Sequence, residues 1–132
     1  MRERIVGLNA GKWNYLSSIV KRYRNQPQSM IEPRHLIKAD APYLMSFMLQ
    51  VVHTAHRRGI HAIGGASEYV PRINQPKATQ VAKQNLVEEK LREAELGFDG
   101  SWVVHPMLVD TGRKCFQTVI MSAVNQKHKL AD

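Results

Sequence analysis

Three short apolar stretches, each closed by Gly or Pro and each followed by an amphipathic pattern, constrain this chain more than any other feature. The first, Ile5-Val6-Gly7-Leu8-Asn9, runs into Ala10-Gly11; the second, Ile60-His61-Ala62-Ile63, ends in Gly64-Gly65; the third, Ser101-Trp102-Val103-Val104-His105, is closed by Pro106. Apolar runs this short, bounded by turn residues, read as strands. Between them the spacing changes to that of helices. Tyr15, Ile19 and Tyr23 share a face beside Leu16 and Val20, and the pattern stops near Asn25-Gln26-Pro27. A second helix is predicted from Pro42 to Arg58, stacking Tyr43, Phe47 and Val51, with Leu44, Met48, Val52 and Ala55 alongside. Arg57-Arg58-Gly59 ends it with cations in the last turn and a Gly able to take φ > 0. After a loop ending at Asn74-Gln75-Pro76 a third helix runs to about Leu96, lined by Ala78, Ala82 and Leu86 together with Val87, Leu91 and Ala94, and Gly97 stops it. Lys114 to Ala123 predicts one more helical segment.

The order β-α-β-α-β-α with apolar strands is the pattern of parallel βα units. Two architectures satisfy it, a small doubly wound sheet or part of a (β/α)8 barrel. The 132 residues are about half of the roughly 250 that a whole barrel takes. Periodicity does not choose between the two.

Composition narrows the functional classes. With 43% hydrophobic and 23% charged residues the chain is of globular type, and every apolar run is far shorter than the roughly 20 residues of a membrane span. A single cysteine, Cys115, excludes an internal disulfide or a Cys-based zinc site; without a catalytic signature around it, it reads as a buried residue. The net charge of +8 is dispersed over Lys21-Arg22-Tyr23-Arg24, Arg57-Arg58 and Lys127-His128-Lys129. With no zinc-finger spacing and no aromatic RNA-binding strand, these read as solvated surface and argue against nucleic acid as a partner. Met1-Arg2-Glu3-Arg4 is not an apolar leader and Leu130-Ala131-Asp132 is not a peroxisomal address, which predicts a cytoplasmic protein without a membrane partner.

In parallel α/β folds chemistry collects where strands end. At the first such end, Gly11 leads into a helix whose start can hold an anion, and Asn14 is placed either to reach a metal or to cap the helix. At the second, Gly64-Gly65 permits close approach of a ligand or simply a bend, and His61 in an apolar strand reads as a core residue. At the third, Trp102 and His105 lie three apart, so in a strand they face opposite ways. Glu88-Glu89-Lys90 and Arg92-Glu93 read as a solvated helix face with Glu88 paired to Arg92.

Taken together these ends resemble malate synthase. The residues that carry the likeness are Arg4-Ile5-Val6-Gly7-Leu8-Asn9-Ala10-Gly11-Lys12-Trp13-Asn14-Tyr15, His56-Arg57-Arg58-Gly59-Ile60-His61-Ala62-Ile63-Gly64-Gly65, Lys90-Leu91-Arg92-Glu93, Gly97-Phe98-Asp99-Gly100-Ser101-Trp102-Val103-Val104-His105-Pro106, and the pair Asn125-Gln126. The resemblance implies an α/β fold, a partial (β/α)8 TIM-type barrel of about three consecutive parallel βα units, with residues 1–132 as a single barrel segment. It implies the Claisen condensation of acetyl-CoA with glyoxylate to malate and CoA. It places the glyoxylate loop on Gly11, Lys12, Trp13 and Asn14, with Asn14 at the family's Mg²⁺-binding Asp. Trp102, Val104 and Pro106 fall beside the acetyl-CoA. The family's glyoxylate-binding Arg, its Mg²⁺-binding Glu and its general-base Asp have no matching position, so no catalytic residue is assigned and the chain alone is expected to be inactive. An Asn carbonyl lacks the charge Mg²⁺ prefers, and Ala66 and Glu68-Tyr69 also depart from the family pattern. Two other classes remain, a non-catalytic partner-binding module derived from the barrel and a basic nucleic-acid binder. A part-barrel exposes two sheet edges, which predicts self-association or a complementary chain.

Overall fold

The structure is a computed structural model that describes residues 2–29, 31–33, 36–37, 40–72 and 74–129. Its elements in chain order are β1 (Gly7–Asn9), α1 (Lys12–Tyr23), α2 (Pro42–Arg57), β2 (His61–Gly64), α3 (Pro76–Leu96), β3 (Gly100–Ser101) and α4 (Val109–Ile120). Single 3-10 turns at Arg2–Arg4, Pro27–Ser29 and Pro106–Leu108 link them. Two helices, α1 and α2, lie between β1 and β2, so the order is β-α-α-β-α-β-α rather than β-α-β-α-β-α. The three strands form one parallel sheet in the order β1-β2-β3. Gly7 pairs with His61 and Asn9 with Ile63, while Ile63 pairs with Gly100 and Gly64 with Ser101.

α2 and α3 end where their sequences say they should. Pro42 opens α2, its fixed φ suiting the first helical position. Gly59 (φ 71°) and Gly97 (φ 106°) take the left-handed conformation just beyond α2 and α3. The amide of Gly97 returns to the Ala94 carbonyl and that of Phe98 to the Glu93 carbonyl, satisfying the open end of α3. The last helix spans Val109–Ile120 rather than Lys114 to Ala123, because Pro106 starts a turn that runs straight into it.

The strands are shorter than the apolar runs suggested. Ile5 and Val6 stay outside β1 and are exposed, and β2 is shifted one residue to end at Gly64. Only Gly100 and Ser101 pair in β3, so Trp102 to His105 are not strand and the opposite-face argument for Trp102 and His105 does not apply. His105 instead caps the next turn, its Nδ1 accepting from the Met107 amide at 3.2 Å.

One face of the sheet is covered. Ala62 is fully buried against Met48, Val52 and Ala55 of α2, Ala94 of α3, Phe98 and Phe116 of α4. Tyr15 of α1 stacks on Phe47 of α2, ring centroids 4.4 Å apart and nearly parallel, which seats α1 beside α2. The other face is open: His61 and Ile63 alternate with buried Ala62 and Gly64, and a hollow of about 400 Å³ lies along Val6, Gly7, His61, Ile63, Gly100 and Trp102. Doubly wound sheets carry helices on both faces. A parallel sheet with its helices on one face and the other bare is a piece of barrel wall. Among the described residues no helix is long and apolar enough to cross a membrane.

Candidate functional site

The carboxyl ends of the three strands converge, and side chains stitch them together. Asn9 Nδ2 donates to the Gly64 carbonyl at 2.9 Å, and the Ala10 amide donates to the Ile63 carbonyl at 2.8 Å. Ser101 Oγ donates to the Gly65 carbonyl at 3.1 Å. Both glycines of the pair are explained by close neighbours. A Cβ on Gly65 would sit 2.6 Å from the Ala10 carbonyl oxygen, and one on Gly64 would run into the Glu93 carboxylate, 2.5 Å from its Cδ. Their smallness therefore serves contact between loops and helix inside the protein.

The predicted loop residues do come together here. Gly11 is the cap of α1 and Lys12, Trp13 and Asn14 form its first turn. Asn14 is not the cap expected of it: α1 begins at Lys12, and Gly11, in the capping position, offers no side chain to bond. Asn14 is exposed, its amide group lying over Gly11. The amides of Gly11 and Lys12 turn back to the carbonyls of Asn9 (3.1 Å) and Ala10 (2.9 Å). The third end presents Trp102, 61% exposed, with Val104 and Pro106 also exposed beyond it.

The charged residues of α3 overturn the reading of a solvated face. Glu89, Lys90 and Glu93 are buried on the stripe that also holds Ala82, Leu86 and Ala94, while Glu88 is exposed. Spacings of three and four from Leu86 lead to Glu89, Lys90 and Glu93, so these positions face the sheet whatever their polarity. Burial is tolerated because every charge is paired. Lys90 Nζ donates to the Gly65 carbonyl (2.7 Å), to Glu89 Oε1 (3.0 Å) and to both Glu93 oxygens (3.1 and 3.2 Å). Lys12 Nζ donates to Glu89 Oε2 at 2.7 Å. Burial pushes the Glu93 carboxyl above its ordinary value, outweighing the opposite pull of Lys90 and Ser101.

A second buried cluster holds the opposite end of the sheet. Asp99 Oδ2 accepts from the Ala62 amide (3.0 Å) and faces His56 Nε2 and His61 Nδ1, each at 3.2 Å; Oδ1 accepts from the Gln126 amide at 2.5 Å. Burial works to raise the Asp99 carboxyl, but these amides and His56 win and hold it below its ordinary value. The His56 ring also meets the Lys129 carbonyl through Nδ1, and Gln126 Nε2 donates to the Ala94 and Phe98 carbonyls. His61, read from sequence as a core residue, is part-exposed on the open face with one nitrogen on Asp99. Cys115 is buried as expected, its thiol pushed up by burial.

These strand ends, their spacing and the barrel-wall sheet agree with a direct comparison. The family described as malate synthase, TIM barrel domain, matches residues 1–132. The chain belongs to this family. It is 40% identical over 133 residues to the malate synthase of Streptomyces clavuligerus, covering 100% of this chain and 25% of that protein. It is 36% identical over 126 residues to the glyoxysomal malate synthase of Cucumis sativus, covering 96% of this chain and 22% of that one. Malate synthase A of Escherichia coli K12 matches at 34% over 126 residues, 96% of this chain and 24% of its own length. The chain thus spans about a quarter of the length of the curated relatives it matches.

The Mg²⁺ that the resemblance implies does not fit the residues present. Asn14 brings one neutral oxygen, and Glu89 and Glu93 are taken up by lysines. Among the described residues no group of three or more His, Cys, Asp or Glu is arranged so that it could hold a metal ion. Hard cations of this kind need carboxylate oxygens in a strict octahedron.

Proposed function

We propose that this chain supplies the glyoxylate-facing part of a malate synthase barrel, in which acetyl-CoA and glyoxylate condense to malate and CoA. The observation that carries the reading is the family match over the whole chain, with Gly11 to Asn14 standing at the carboxyl end of a barrel strand. That end of a barrel is where its enzymes do their chemistry. Glyoxylate is a small carboxylate, and the first turn of α1 offers it the positive end of the helix dipole. Trp102, Val104 and Pro106, which follow the carboxyl end of β3, are exposed and are the residues the resemblance assigns to the second, larger substrate, acetyl-CoA.

The reaction requires a base to take a proton from the acetyl methyl group. The enolate so formed attacks the aldehyde carbon, and hydrolysis of the thioester then frees malate. Glu89 and Glu93 stand at this end but are buried in ion pairs, so neither is available as that base. The base, and donors for the charge that develops on the aldehyde oxygen, belong to other parts of the enzyme. The rest of the barrel is therefore part of the proposal. A groove of about 530 Å³ between the free edge of β3 and α4, flanked by the highly exposed Met121 and Val124, is a surface on which it would pack.

The test replaces the matching quarter of Escherichia coli malate synthase A with residues 1–132 of this chain and follows CoA thiol release with glyoxylate and Mg²⁺. Slow glyoxylate-dependent release is expected, rising about tenfold or more in Asn14→Asp, since a carboxylate restores a charged oxygen toward the cation. A folded chimera silent with either residue at position 14 overturns the reading.

A further inference from the structure

Lys12 stands in the loop assigned to glyoxylate, yet its side chain leaves that loop. Its Nζ reaches Glu89 on α3 at 2.7 Å, and both side chains are largely buried, 13% and 6% exposed. Glu89 spans two lysines, since its second oxygen accepts from Lys90, whose ammonium is wholly enclosed. Lys90 in turn grips the Gly65 carbonyl, which also accepts from Ser101. One network therefore ties the loop after β1, the loop after β2 and the end of β3 to a single helix. Its charges balance, with Lys12 and Lys90 against Glu89 and Glu93.

We propose that Lys12 is a positioning residue, whose ion pair with Glu89 holds the Gly11–Asn14 turn in place over Gly65 for a carboxylate substrate. The inference rests on the functional reading above for the identity of that substrate, but the positioning itself stands on the geometry. The backbone bonds donated by the Gly11 and Lys12 amides are local, reaching back to Asn9 and Ala10, and the cap of α1 lacks a side-chain hydrogen bond, so the Lys12–Glu89 pair ties the turn to α3. The van der Waals stop of Gly65 against the Ala10 carbonyl sets how near the two loops come. The Lys12–Glu89 bond sets how firmly they stay. Removing the Lys12 charge also leaves Glu89 and Glu93 facing Lys90 alone, so a net negative charge is stranded beneath the place where an anion is to bind.

The 132-residue chain is used for the test, with Lys12→Met, which keeps the aliphatic stem, and Lys12→Arg, which keeps the charge. NMR follows amide hydrogen exchange and, in a glyoxylate titration, the shifts of the Gly11 to Asn14 amides. Exchange at these four amides is expected to rise about tenfold or more in Lys12→Met, the scale of losing a charged hydrogen bond, while the core amides of Val52, Leu86 and Phe98 keep their protection. Glyoxylate binding is expected to weaken similarly, with Lys12→Arg restoring both. Unchanged exchange at Gly11 to Asn14, or an equal rise through the core, overturns the proposal. Absence of glyoxylate binding in the unaltered chain counts against the functional reading only, and the exchange pattern still decides the role of Lys12.

Discussion

Replacing Gly64 by Ala tests the buried charge network at its tightest point. The added methyl would stand 2.5 Å from Glu93 Cδ and 2.9 Å from Oε1, so the carboxylate must move. It has no free direction, since both of its oxygens hold Lys90, at 3.1 and 3.2 Å. Overpacking a close-packed site costs about 1–3 kcal/mol. Loosening a hydrogen bond to an enclosed ammonium adds about 1.5–3 kcal/mol. The expected loss is therefore about 2.5–6 kcal/mol, a large part of the roughly 7–20 kcal/mol that holds a domain of 132 residues together. Urea unfolding followed by circular dichroism measures it as a lower midpoint at unchanged slope. Glu93→Ala is the companion variant. It removes the obstacle, so the double variant should cost less than the sum of the two singles by about 1–3 kcal/mol. A Gly64→Ala variant within about 0.5 kcal/mol of the parent, or strict additivity with Glu93→Ala, would refute the reasoning.

Two further expectations concern the other end of the sheet. Asp99→Asn places an amide opposite the Gln126 and Ala62 N–H donors and should cost about 2 kcal/mol or more at pH 7. The Asp99 carboxyl lies below its ordinary 3.8 in the folded chain, so the stability it confers is present above that pH and is lost as pH falls through the folded value. The gap between parent and variant in urea midpoints should thus be full at pH 7 and shrink below about pH 4; a gap constant with pH contradicts the assignment. Gly97→Ala meets both a left-handed backbone and Val52 Cγ1 at 3.2 Å, whereas Gly59→Ala meets the backbone penalty with no atom within 4 Å. Gly59→Ala should cost about 1–2 kcal/mol and Gly97→Ala distinctly more, and equal unfolding midpoints would contradict this.

Much of the fold was legible in the chain because it depends on local order. Pro42 and Gly97 bracket helices through backbone geometry that neighbours cannot change, and the alternation of apolar runs with amphipathic ones names parallel βα units. The strand bounds were less legible. Trp102 to His105 have the composition of a strand, but β3 is the edge strand and among the described residues pairs only through Gly100 and Ser101. The site was readable only where a loop motif spelled it out, as at Gly11 to Asn14. Polarity misled the reading of Glu89, Lys90 and Glu93, although their helical spacing from Leu86 already pointed them toward the sheet.

The sequence by itself determined the alternation of apolar strands with amphipathic helices and the family, because periodicity, turn residues and loop motifs are properties of neighbours along the chain. Tertiary structure alone decided that Gly64 and Gly65 are small to admit Glu93 and the Ala10 carbonyl, that Lys12 faces α3 rather than the loop it opens, and that Asp99 fastens His56 and His61 to the tail through Gln126 and Lys129. Residues between 27 and 77 positions apart make these contacts, and their chemistry is set by burial and pairing, which no local pattern carries.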